Sequence, residues 1–170
     1  MTHSIATLPV AFAVDCASEA HTQQLGASLG RQILPLLAAR DRAFVLALAG
    51  PLGAGKTTLA RGLLAQLGVT GVVRSPSYAL MECYERPDCL AVHVDLYRLA
   101  GRAQIAQLGL RDFDRGESLW LIEWPERAGP VFAQADLTLQ LSIGATQHRV
   151  TLTAGTGDGR RVIEALVGAA

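Results

Sequence analysis

Apolar and polar positions change their spacing along the chain, and each change marks an element. Leu25, Leu29, Ile33 and Leu36 or Leu37 recur at three- to four-residue steps, the spacing of one helix face, which predicts a helix running to about residue 39. Asp15 or Ser18 is its candidate N-cap, and Pro35 should kink or shorten its last turns. Residues 44–49 are an uncharged apolar run of strand length. Helical spacing returns over 58–67 and stops at Gly68. Residues 79–84 and 90–95 read as strands joined by the turn residues 85–88, a hairpin, with Leu90, Val92 and Val94 alternating with Ala91 and His93. Residues 118–123 read as a buried strand that ends in charge, and 136–143 with 148–153 as a second hairpin. Residues 102–108 are weakly helical, 155–159 read as a linker, and 160–167 as a short terminal helix. At the other end, residues 5–14 read as a strand interrupted by Pro9, which cannot donate to a ladder and so belongs at a sheet edge.

Strands mixed with helices imply an α/β fold, a three-layer sandwich around a mixed central sheet. At 170 residues the default is a single domain, with 1–154 as its body and 155–170 packed on it or trailing from it. Fifteen acidic and fifteen basic residues cancel, so a broad electrostatic surface for nucleic acid is not favoured. Three cysteines, Cys16, Cys83 and Cys89, are an odd number and suggest reduced thiols. The spacing of Cys83, Cys89 and His93 matches no common zinc template and lacks a fourth ligand. The first residues lack the basic stretch of a signal peptide, and no apolar run approaches the ~20 residues needed to span a bilayer. These features predict a soluble cytoplasmic protein with no membrane partner.

The chemistry concentrates where the run at 44–49 ends. Gly50-Pro51-Leu52-Gly53-Ala54-Gly55-Lys56-Thr57 is G-x-x-x-x-G-K-[ST], the phosphate-cradling P-loop, with a strand before it and a helix after it. Gly53 and Gly55 let the backbone curl so that successive N–H groups point at phosphate oxygens, and the helix adds its free N–H groups and positive dipole end. Lys56 can reach β- and γ-phosphates, and the Thr57 hydroxyl can meet Mg²⁺. Lys56 is the chain's one lysine among fourteen arginines, which argues for a specific task for a compact ammonium. Asp95 and Glu123 each close an apolar strand, and in a parallel sheet such ends converge beside the loop as metal or water-positioning carboxylates. Ser75-Pro76-Ser77-Tyr78 reads equally as a plain turn or as a switch segment whose hydroxyls sense the γ-phosphate.

Residues 50–58, 74–78, His93-Val-Asp-Leu-Tyr-Arg-Leu99 and Ile122-Glu-Trp-Pro-Glu126 together resemble, in order and spacing, the TsaE family, bacterial P-loop ATPases of tRNA threonylcarbamoyladenosine (t⁶A) modification. The likeness covers roughly residues 8–153. It implies that Gly50, Leu52, Gly53, Ala54, Gly55, Lys56, Thr57 and Thr58 hold the phosphates of ATP, with Thr57 on Mg²⁺. It implies that Asp95 is the Walker-B carboxylate, that Glu123 holds Mg²⁺ or positions the attacking water, that Trp124 lies beside the nucleotide and that Thr22 lies near the base. It casts Ser75 and Ser77 as the switch, and a TsaD–TsaB pair as the partner that ATP hydrolysis resets, with tRNA engaged only through that pair. Two positions depart from the family pattern: Pro51 stands where an acidic residue is common, and Ser77 where threonine is usual. The residues by themselves also admit a small-molecule kinase whose lid carries Arg98, Arg102, Arg111 and Arg115, or a binding module in which the nucleotide is structural.

Overall fold

The computed structural model describes residues 11–132 and 134–169. Its strands are β1 (Ala11–Cys16), β2 (Phe44–Ala49), β3 (Met81–Arg86), β4 (Cys89–Asp95), β5 (Ser118–Glu123), β6 (Leu137–Ile143) and β7 (His148–Ala154). They form one sheet in the order β1-β7-β6-β2-β5-β4-β3. Neighbours β6, β2, β5 and β4 pair in parallel, while β3, β7 and β1 are added antiparallel. The sheet is therefore mixed, and its parallel centre explains why β4 and β5 are buried along their whole length.

Alternation along the central strands divides the core. Phe44, Leu46, Leu48, Ala91, Leu119, Leu121, Leu137 and Leu139 face helices α1 (Glu19–Leu37), α2 (Lys56–Gln66) and α4 (Gly157–Gly168). Val92, Val94, Trp120 and Ile122 face the other way, toward α3 (Arg102–Gln107) and two 3₁₀ segments, Leu110–Phe113 and Pro125–Phe132. Three layers result, as the sequence pattern implies. Helices α1 and α2 touch backbone to backbone at Gly62, where a Cβ would stand 2.1 Å from the Gln23 carbonyl oxygen. That contact seats the helix that follows the P-loop.

Several local expectations shift. Of the strand expected over 5–14, residues 5–10 and Pro9 lie outside the described residues; the rest is β1, which runs on to Cys16 at the sheet edge. Asp15 consequently pairs with Arg149 at 2.7 Å across β1 and β7, and Ser18 is the cap, its hydroxyl accepting from His21 N–H. Helix α1 continues through Pro35 and ends at Leu37. The hairpin turn narrows to Pro87 and Asp88.

The glycine run read as a linker is instead the start of α4, capped by the Thr156 hydroxyl. Gly155 and Gly159 reflect close approach: a Cβ would meet the Ala135 carbonyl oxygen at 2.1 Å and the Asp136 carbonyl oxygen at 1.9 Å, respectively. The Asp136 carboxylate, fully buried at the start of β6, accepts from Val45 N–H (2.9 Å), Arg40 (3.0 Å), Arg42 (3.2 Å) and the Thr156 hydroxyl (2.7 Å). One acid thus ties β2, β6 and α4 together at the end of the sheet away from the P-loop.

Candidate functional site

The loop between β2 and α2 takes the conformation that its glycines permit. Gly53 and Gly55 lie at φ +80° and +98°, in the left-handed region where a side chain is disfavoured. Gly55 caps α2 without a side-chain bond, so the free N–H groups of the first turn are left for a ligand. Lys56 folds back over the loop. Its Nζ donates to the carbonyls of Gly50 (2.7 Å) and Pro51 (2.9 Å) and sits 3.8 Å from the centroid of the Trp124 ring. It is only 5% exposed. Burial pulls the ammonium below the usual lysine pKa, against the opposing pull of Glu123, Glu126 and Asp95.

Strand register assembles the acids. Asp95 and Glu123 are partners at the carboxyl ends of β4 and β5, and Leu48 of β2 lies opposite Glu123 on the other side. Counting by two from Ala91 and from Leu119 puts His93, Asp95 and Glu123 on the face that carries α2. The Thr57 hydroxyl donates to both oxygens of Glu123, at 3.0 Å each. His93 Nε2 meets Glu123 Oε1 at 2.8 Å. The Ser75 hydroxyl donates to Asp95 Oδ2, and Tyr97 N–H donates to Oδ1 at 2.9 Å. Directly after β5, Trp124 has φ +59°, unusual for a bulky residue, and its N–H bonds the Leu48 carbonyl at 3.1 Å. Its ring packs 5.1 Å from that of Tyr97, with the Arg127 guanidinium over both.

Two cavities flank the loop. A cavity of about 610 Å³ is lined by Leu52, Gly53, Gly55, Lys56, Thr57, Thr58, Ser75, Ser77, Asp95, Tyr97, Arg98, Glu123 and Trp124. A second, of about 490 Å³, joins Thr22 and Ser18 of the α1 start to Gly53, Gly55, Thr58 and the β6–β7 hairpin residues Gln147 and His148. The structure therefore gathers nearly every site residue expected from the sequence. Gly50 and Ala54 contribute differently: Gly50 offers its carbonyl to Lys56, and Ala54 is buried with its N–H on the Pro51 carbonyl. Residues beyond those expected are His93, Tyr97, Gln147 and His148, together with Arg98 as a lining residue. In the sequence His93 stands only as one position of an alternating strand, although its two-residue offset from Asp95 is the available signal.

The oxygen donors suit Mg²⁺. Among the described residues no three His, Cys, Asp or Glu side chains form a metal cluster. Thr57, Asp95 and Glu123 instead offer one hydroxyl and two carboxylates, the sparse set that Mg²⁺ takes when substrate oxygens and water complete its shell. A kinase-type arginine lid does not assemble among the described side chains. Arg98 lines the cavity, but Arg115 lies with Glu117 near the opposite ends of β4 and β5, and Arg111 is exposed in a 3₁₀ segment on the far face.

A P-loop set between strand and helix, with two acidic strand ends beside it on a mixed seven-stranded sheet, defines a P-loop NTPase-like α/β protein. The family model described as "Threonylcarbamoyl adenosine biosynthesis protein TsaE" matches residues 16–151, and the chain belongs to the TsaE family. Proteins named tRNA threonylcarbamoyladenosine biosynthesis protein TsaE are similar to it. The one from Haemophilus influenzae is 38% identical over 125 residues, 74% of this chain and 79% of that protein. The one from Streptomyces coelicolor is 37% identical over 140 residues, 78% of this chain and 90% of that protein. The crystal structure of Bacillus subtilis YdiB superimposes with a TM-score of 0.76 at 23% identity, covering 96% of this chain and 99% of that one, and shares its fold. No helix among the described residues is long and apolar enough to cross a membrane.

Proposed function

We propose that the protein binds ATP with Mg²⁺ and hydrolyses it as the ATPase of tRNA t⁶A modification, acting in the cytoplasm on a TsaD–TsaB complex that hydrolysis resets. The observation that carries this reading is the convergence of Lys56, Thr57, Asp95 and Glu123 on one cavity at the mouth of a P-loop. Membership of the TsaE family supplies the pathway.

In this reading the loop residues 50–58 cradle the phosphates, and Thr22 with the β6–β7 hairpin receives the base side. Lys56 exchanges two backbone carbonyls for phosphate oxygens and leaves the face of Trp124 to the nucleotide. Thr57, Asp95 and Glu123 are the groups that would hold Mg²⁺, which when bound neutralises charge on the phosphates. Glu123 also orients the attacking water. The water oxygen bonds to the γ-phosphorus, the bond from phosphorus to the bridging oxygen breaks, ADP leaves with the electron pair, and one water proton passes to solvent while the other stays on the released phosphate. Residues 74–78 carry the signal outward. Ser75 holds Asp95, Ser77 lines the cavity, and Tyr78 stands 83% exposed with Arg98 on its ring.

The test is phosphate release from ATP with and without purified TsaD–TsaB, together with pull-down of that pair in ATP, ADP or no nucleotide. Turnover that rises with the pair, and association strongest in ATP, are expected. Turnover in neither case would reduce the site to a nucleotide-stabilised binding module. Equal association in all three conditions would remove the switch.

A further inference from the structure

We infer that His93 is the positioning residue for Glu123, donating through Nε2 and fixing which carboxylate oxygen remains available to the ligand. This rests on the reading of Glu123 as the working carboxylate of an ATPase. His93 lies inside β4 between Ala91 and Asp95, fully buried on the α2 face of the sheet. A leucine or methionine would fill such a position without burying two ring nitrogens, and a buried polar group is costly unless it is bonded. The ring makes one hydrogen bond, Nε2 to Glu123 Oε1 at 2.8 Å, and its Nδ1 has no partner among the described residues.

That pattern assigns the proton. Both oxygens of Glu123 already accept from the Thr57 hydroxyl, and the nitrogen facing Oε1 fits the same pattern as a donor, so Nε2 carries the hydrogen. The consequence for Glu123 follows from the symmetry of its other contact. The Thr57 hydroxyl lies 3.0 Å from each carboxylate oxygen and does not distinguish them. The terminal torsion of glutamate is broad and nearly two-fold, so that contact alone leaves the carboxylate free to turn. His93 bonds Oε1 and not Oε2, breaks the symmetry, and leaves Oε2 as the oxygen with spare accepting capacity. Partners of this kind, behind a ligating or water-orienting group, typically change activity 10–100-fold when removed.

The test compares His93→Leu, which keeps bulk and loses the donor, with His93→Gln, which restores an N–H near the Nε2 position. In ATP turnover, with TsaD–TsaB where the pair stimulates it, His93→Leu should lower kcat by roughly 10–100-fold. Its KM and its ADP affinity by calorimetry should stay within about threefold. His93→Gln should recover most of the loss. Glu123→Gln is the reference. If it hydrolyses ATP at the wild-type rate, the reading of Glu123 as the working carboxylate fails and the positioning role with it; if wild type itself shows no turnover, the ATPase reading fails. If Glu123→Gln is inactive while His93→Leu is fully active, only the positioning role fails. ¹⁵N NMR of the wild-type imidazole needs neither turnover nor a stable variant: a protonated Nε2 supports the assignment, and an unprotonated Nε2 overturns it.

Discussion

Replacing Lys56 by methionine separates nucleotide binding from folding, because the losses offset in folding and not in binding. Methionine keeps an apolar stem against the Trp124 ring and removes the charge and the two bonds to the Gly50 and Pro51 carbonyls. Burial is the largest cause of the lowered lysine pKa and outweighs attraction from Glu123, Glu126 and Asp95. The unfolded chain therefore holds this proton more tightly than the folded one, and the charge works against folding at neutral pH. Stability contributed here rises as pH climbs through the depressed pKa toward the ordinary lysine value, and the methionine variant lacks that rise. The lost bonds and the relieved charge nearly offset, so the nucleotide-free variant should lie within about 1 kcal/mol of wild type, a melting shift of about 2–4 °C in a chain of this size. Binding has no such compensation. One charge-assisted phosphate contact is worth about 1.5–3 kcal/mol, or roughly 10–150-fold in ADP affinity. At ADP a hundred times its Kd, wild type gains about 2.7 kcal/mol, and a hundredfold weaker variant only about 0.4 kcal/mol. Melting curves and calorimetry with Mg²⁺–ADP read both effects. Unchanged ADP affinity would sink the site assignment; a nucleotide-free melting point lower by more than about 10 °C would sink the burial argument.

Three further outcomes follow from the same geometry. Asp95→Asn and Glu123→Gln should each lower ATP turnover by at least about a hundredfold while ADP affinity by calorimetry moves only a few fold, since such carboxylates act mainly on the transition state. Trp124→Phe should abolish the fluorescence change on adding nucleotide and Trp120→Phe should keep it, because Trp120 is buried on the opposite face with its Nε1 on the Phe113 carbonyl; the reverse pattern would make Trp124 a core residue. Asp136→Ala should cost about 2–5 kcal/mol in urea denaturation by leaving the Val45 N–H and the Thr156 hydroxyl without their acceptor, while Arg40 keeps Asp158, with ADP affinity unchanged; a loss below about 1 kcal/mol would show that the buried cluster is not a clamp.

The strands were legible wherever a continuous apolar run met a sharp boundary. Residues 44–49 and 118–123 coincide with β2 and β5, because the first ends in glycine and the second in a carboxylate. The segment Pro125–Phe132 was not legible, since a 3₁₀ stretch with Pro130 inside it and Gly129 at φ +62° has no periodicity to detect. Residues 155–159 misled for a different reason. Glycine in a sequence signals either freedom or crowding, and only the packing of Gly155 on Ala135 and of Gly159 on Asp136 shows that both ends of this run are crowded.

The candidate site divides along the same line. The P-loop is written in consecutive residues, since one backbone turn makes the whole phosphate cradle, and local spacing suffices to find it. The rest of the site is made across strands. His93 reaches Glu123 only because β4 and β5 run parallel in a register that sets Asp95 beside Glu123; a shift by one residue would put the imidazole on the other face. Trp124 lies on Lys56 because the chain turns through a left-handed residue after β5, and nothing in Ile122-Glu-Trp-Pro demands that turn by propensity. Gln147 and His148 line one cavity with Thr22 because β7 returns beside β6 at the mouth of the loop. Motif reading therefore finds the group that holds phosphate, while the groups that tune it depend on sheet order, which single-residue patterns do not encode.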